Sequence, residues 1–132
     1  MNKIEKQIAE RIDQFADDIL DFTCRLVAKP STLGYEAAAM AVMEAELKKL
    51  SFDPTRIHID PVKLSKHPGF APVPWSYEGR YNVAAKREAS AEGGRSVIFN
   101  GHLDVVSAEP LGLWGTDPFN PVERDGWLYG RG

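Results

Sequence analysis

The spacing of apolar residues changes once along this chain, and that change restricts the fold more than any other feature. Between residues 3 and 29, Ile4, Ile8, Ile12, Phe15, Ile19, Phe22 and Leu26 recur at steps of three and four, with Glu, Lys, Arg and Asp between them. Such spacing lays an apolar stripe along one face of an amphipathic helix. Pro30 ends it and "PSTLG" makes a turn. "YEAAAMAVMEAELKKL" (35–50) then reads as a second helix whose closing lysines suit the negative end of its dipole. Past residue 54 the period drops to two. "TRIHIDPVKL" (55–64) puts Ile57 and Ile59 on one side and reads as a strand cut by Pro61. "YNVAAKRE" (81–88) and "RSVIFNGHLDVV" (95–106) read as strands that pair as a hairpin across the glycines of "ASAEGG". Asp125-Gly126 marks a second, two-residue hairpin. The expected class is α/β, with two N-terminal helices packed on a mixed β-sheet.

Between the strands lies "SKHPGFAPVPWSYEG" (65–79), with three prolines and two glycines. A loop of that length is a candidate rim of a site, with His67 and Trp75 over a pocket, or a plain surface excursion. At 132 residues the chain suits one domain. Its net charge of −3, with Lys and Arg thinly spread, argues against a nucleic-acid partner. The lone Cys24 cannot form an internal disulfide and reads as a small buried apolar group. "MNKIEKQIAERIDQF" lacks the apolar core of a signal peptide, and the longest apolar run, 37–43, is too short to span a bilayer. A soluble, cytoplasmic protein with no membrane partner is expected.

The chemistry concentrates in "VIFNGHLDVVSAEP" (97–110), where an apolar strand ends on His102 and Asp104. Residues two apart on a strand share a face, and strand ends are where α/β sheets carry ligands. A metal-bound histidine commonly gives its other ring N–H to a carboxylate, which fixes the tautomer. The H-x-D pattern alone is weak, because His58-Ile59-Asp60 repeats it on a strand with no loop-borne site beside it. The second copy differs in context. Gly101 precedes the histidine, and Trp114, Asp117-Pro118-Phe119-Asn120-Pro121, Asp125-Gly126 and Gly130-Arg131-Gly132 follow in order.

That string, from Ile98 to Gly132, resembles the zinc metallopeptidase family of acetylornithine deacetylase, succinyl-diaminopimelate desuccinylase, aminoacylase and carboxypeptidase G. The family shows G-H-x-D-V-V, a tryptophan, D-P-F-x-P, a short hairpin and G-R-G. One departure is Ser107, where the family often has proline. The resemblance implies a co-catalytic zinc hydrolase in which His102 binds one of two Zn²⁺ ions and Asp104, the catalytic-site carboxylate, orients it. Co²⁺ or Mn²⁺ also suits such ligands. It implies hydrolysis of the amide bond of an N-acyl amino acid or small peptide, acetylornithine deacetylase-like. Two metals would share a water and polarise the carbonyl, and a glutamate would act as general base. The bridging aspartate, that glutamate and the remaining ligands would fall past Gly132. Residues 1–132 therefore read as an incomplete N-terminal segment of the catalytic domain, with the lid or dimerisation domain absent and the segment alone inactive. The intact form is expected as a homodimer, and the segment is expected to self-associate through uncovered sheet edge and apolar surface.

Several neighbours have plainer readings. Asp117 precedes a proline and starts a turn, and Glu109 is solvated. Trp114, Phe119, Trp127 and Tyr129 are packing aromatics or a cleft lining. Arg131, between two glycines, either binds a substrate carboxylate or ties down local backbone. The alternative function is a short non-catalytic interaction or oligomerisation module.

Overall fold

The structure, a computed structural model, describes residues 2–132. Helices α1 (Lys3–Asp13), α2 (Ala16–Val27) and α3 (Ala37–Lys49) come first, then β1 (Thr55–His58), the short α4 (Pro61–Leu64) and β2 (Tyr81–Ala84). A 3₁₀ turn at Leu111–Leu113 precedes β3 (Val122–Arg124) and β4 (Trp127–Tyr129). The chain is thus mixed helix and strand, with the strands in two separate two-stranded antiparallel sheets, β1–β2 and β3–β4. No helix among the described residues is long and apolar enough to cross a membrane. Two compact units divide the chain, one from residues up to 39 together with 104–132, the other from 40–103.

The single helix expected over 3–29 is two. Asn2 caps α1 in a reciprocal box with Glu5: the Glu5 N–H donates to Asn2 Oδ1 at 2.9 Å, and the Asn2 N–H donates to Glu5 Oε2 at 2.8 Å. The ladder tightens at Gln14 and Phe15, where the Phe15 N–H reaches back only to the Ile12 carbonyl. Phe15 then starts α2, whose first turn holds Asp17 and Asp18, acids that favour the positive end of a new helix dipole. Arg11 covers the Phe15 ring at 4.6 Å and donates to Gln14 Oε1 at 2.6 Å, closing the break.

Two strand expectations also change. The strand expected over 55–64 stops at His58, because Asp60 and Pro61 start a helical turn instead. Asp60 Oδ1 accepts the N–H groups of Val62 (3.0 Å) and Lys63 (3.1 Å), and Pro61 takes the first helical position, where its missing N–H is no loss. Those bonds, that from Lys63 first, hold the Asp60 carboxyl below its usual range. The second change is larger. Residues 95–106 form no strand and no hairpin with 81–88; β2 pairs with β1, Thr55 opposite Ala84 and His58 opposite Tyr81. Side chains favour that choice: Arg56 lies 4.6 Å from the Tyr81 ring diagonally across the pair, and the His58 and Tyr81 rings lie 6.0 Å apart. Without a partner strand, Val97, Ile98 and Phe99 stay 72%, 89% and 92% exposed.

Burial is sparse throughout. Among the described residues Ala39, Ala108 and Pro118 are the buried apolar residues, and no large side chain is fully enclosed. The α1 stripe of Ile4, Ile8 and Ile12 is exposed. In the second unit a polar tie joins α3 to β1. Arg56 donates from Nε (3.0 Å) and Nη2 (2.7 Å) to Glu44 Oε2. That bonding, aided by the charges of Arg56 and Lys48 and opposed by partial burial, holds the Glu44 carboxyl below the usual carboxylate range. Folding depresses this acid, so its contribution is complete above the unfolded-state value and is lost as pH falls through the lower folded value. Glu44→Gln is expected to lower the thermal unfolding midpoint at neutral pH. The gap from the unsubstituted chain should close below about pH 4, and a gap independent of pH would contradict the ion pair.

Candidate active site

His102 and Asp104 stand in irregular, exposed backbone rather than at a strand end. His102 is the second-last residue of the 40–103 unit, and Asp104 opens the second segment of the other. Residues 102–104 each have an interaction partner, in contrast to the bare apolar residues before them. One imidazole and one carboxylate are suitable donor types for zinc, but a protein site needs three or four such ligands. Among the described residues no three His, Cys, Asp or Glu groups are gathered to hold a metal. Asp117 and Glu109 do not fill the gap. Asp117 Oδ1 accepts the Phe119 N–H at 2.9 Å, and Glu109 Oε2 accepts the Leu111 N–H at 3.1 Å, both local turns. The described residues hold part of a metal site at most.

The segment after Asp104 is well tied within its unit. The Val105 N–H donates to the carbonyl of Ser31, a buried residue beyond the end of α2, at 3.0 Å. Ser107, the departure from proline, uses its hydroxyl to accept the Glu109 N–H at 3.1 Å. Trp114 Nε1–H donates to the Ala108 carbonyl at 2.8 Å, so this aromatic is held in place, and it also forms part of the wall of a groove with Thr116 and Pro118. Trp127 is exposed on β4. The hairpin beneath it turns as expected at Asp125 (φ +55°) and Gly126 (φ +76°), both left-handed.

The two motifs at the end of the chain interlock. "DPFNP" makes a turn closed by the Asn120 N–H on the Asp117 carbonyl (3.1 Å), and the Pro118 carbonyl accepts the Arg131 N–H at 2.7 Å. Gly130 passes so close to α2 that a Cβ there would stand 2.5 Å from Val27 Cγ1 and 3.4 Å from the Pro118 oxygen. The first glycine of G-R-G is therefore a matter of space. Sequence reading missed this role because the contact spans a hundred residues.

No family model matches the chain. Curated relatives do. The succinyl-diaminopimelate desuccinylase of Xylella fastidiosa (strain 9a5c) is 30% identical over 115 residues, 87% of this chain and 25% of that protein. That of Verminephrobacter eiseniae (strain EF01-2) is 33% identical over 108 residues, 82% of this chain and 26% of the relative. That of Stenotrophomonas maltophilia (strain K279a) is 32% identical over 114 residues, covering 86% and 25%. Over this span the chain is similar to the succinyl-diaminopimelate desuccinylases. It spans about a quarter of the length of the relatives it matches. Those relatives are hydrolases by name, and a shared segment of that length fits a partial active site. Gly130→Ala is expected to lower stability by about 1–3 kcal/mol in thermal unfolding through overpacking against Val27. Adding Val27→Ala should recover part of the loss, and strict additivity of the two changes would refute the contact.

Proposed function

We propose that these residues form the N-terminal part of a catalytic domain that hydrolyses the amide bond of an N-acyl amino acid or small peptide. The observation that carries this reading is the ordered series from Gly101-His102-Leu103-Asp104 to Gly130-Arg131-Gly132, in a chain whose curated relatives are desuccinylases. In the proposal His102 is a ligand to one of two zinc ions, with cobalt or manganese as substitutes, and Asp104 is the carboxylate that orients it. The other ligands and the general base belong to sequence outside these 132 residues, so the 132-residue chain by itself is inactive. The helices pack on one mixed sheet only in the whole domain, where residues 95–106 gain a partner strand. The protein is cytoplasmic, acts as a homodimer, and takes a succinyl or acetyl group from the amino acid nitrogen.

The test is amine release from N-succinyl and N-acetyl amino acids by the protein at its natural length. His102→Ala should abolish release and lower metal content. Asp104→Asn should keep most of the metal and cut turnover about 10–100-fold. Full turnover by Asp104→Asn would remove the role assigned to that carboxylate.

A second reading, an interaction or oligomerisation module, is favoured by one observation: the bare run of Val97, Ile98 and Phe99. An extended apolar segment without a partner strand is a template for pairing between chains. The 132-residue chain is expected to self-associate in sedimentation velocity, and Ile98→Lys should return it toward monomer. A chain that stays monomeric without the substitution would count against both the module and the uncovered edge.

A further inference from the structure

The backbone that follows Asp104 is held from the far end of its own unit. Val105 is anchored by its N–H on the Ser31 carbonyl (3.0 Å), and Ala108 by its carbonyl on Trp114 Nε1–H (2.8 Å). Asp104 stands directly before the first anchor. The second depends on where the indole sits, and the indole face is covered by Arg131, whose guanidinium carbon lies 4.8 Å from the ring centroid. Arg131 is itself placed by its backbone, through its N–H on the Pro118 carbonyl (2.7 Å) and through the close approach of Gly130 to Val27.

The guanidinium is not spent as an ordinary structural arginine spends it. Arg131 Nε is buried and has no hydrogen-bond partner among the described residues. Nor does Arg131 line the neighbouring groove, whose walls include Trp114, Thr116 and Pro118, so a ligand in that groove would not meet it. The interaction left to the side chain is with the ring. A cation over the face of tryptophan is attracted by the ring quadrupole, and more strongly when both are shielded from water.

We propose that Arg131 is a positioning residue: stacked on Trp114, it fixes the indole N–H on the Ala108 carbonyl and thereby the backbone that presents Asp104. This rests on the reading of Asp104 as an active-site carboxylate. It also gives the arginine of G-R-G a role separate from that of its glycines. Gly130 makes room for the crossing, and Arg131 carries the consequence of that crossing back to residues 104–108.

The experiment is amide and indole NMR of the ¹⁵N-labelled protein, with Trp114→Phe identifying the Trp114 indole among Trp75, Trp114 and Trp127. In Arg131→Ala the Trp114 indole N–H and the Val105 amide should exchange with solvent about tenfold faster, and the Asp104–Val106 amides should shift. Arg131→Lys keeps a cation over the ring and should restore most of the protection. Should Arg131→Ala fail to fold, Trp114→Phe, which keeps a ring but removes the donor, should shift the same Asp104–Val106 amides. Unchanged Asp104–Val106 amides in the folded Arg131 or Trp114 variant would overturn the proposal. In the hydrolytically active protein at natural length, kcat should fall about 10–100-fold with KM nearly unchanged. Loss of KM alone would likewise overturn it. If the unsubstituted protein released no amine, the functional reading would fall, while the amide signals would still decide whether Arg131 positions residues 104–108.

Discussion

The approach of Gly130 to Val27, with the Pro118 carbonyl receiving the Arg131 N–H beside it, joins the two ends of the 2–39 and 104–132 unit. It brings the end of the second helix and the last residues of the chain into van der Waals range, a closure across a hundred residues that carries a large entropic penalty. So little apolar surface is enclosed that such a closure rests on a few well-placed contacts. The turn "DPFNP" supplies the carbonyl, and G-R-G supplies the N–H and the missing Cβ. This is a physical reason for the two to occur together in one chain.

The 40–103 unit is organised by charge and aromatic contacts more than by a core. Glu44, Arg56 and Tyr81 form one connected group: a doubly donating guanidinium ties α3 to β1, and its face covers the ring that begins β2. These contacts draw β2 to β1. Residues 97–99, with no strand beside them, are left in water. Backbone groups in an extended segment are satisfied by water when no ladder is at hand, but the side chains of Val97, Ile98 and Phe99 gain nothing from that exposure.

The relatives extend what the geometry alone carries. The segment shared with the desuccinylases includes His102 and Asp104, but among the described residues no three His, Cys, Asp or Glu groups are gathered to hold a metal, and a metal centre is a property of a complete ligand set. What the structure adds is the support around Asp104. Ser31 and Trp114 bond the backbone of Val105 and Ala108 directly, and Arg131, whose N–H rests on the Pro118 carbonyl, covers the indole.

The sequence by itself determined the local features. Period 3.6 specified helix over 3–29 and 35–50 but not the break at Gln14–Phe15, Asp125-Gly126 specified the terminal hairpin, Asp117-Pro118 specified a turn rather than a ligand, and the motif series pointed to the family. Each of these is decided within a few residues by sterics and short hydrogen bonds. The Asp60-Pro61 helix start is equally local, but the alternation around it led to a strand over 55–64 instead. Only the tertiary structure decided which strand β2 joins, why Gly130 bears no side chain, and how Arg131 reaches Trp114. Those outcomes depend on residues distant in sequence meeting in space, where the winning partner is set by the contacts available and not by the propensity of either segment.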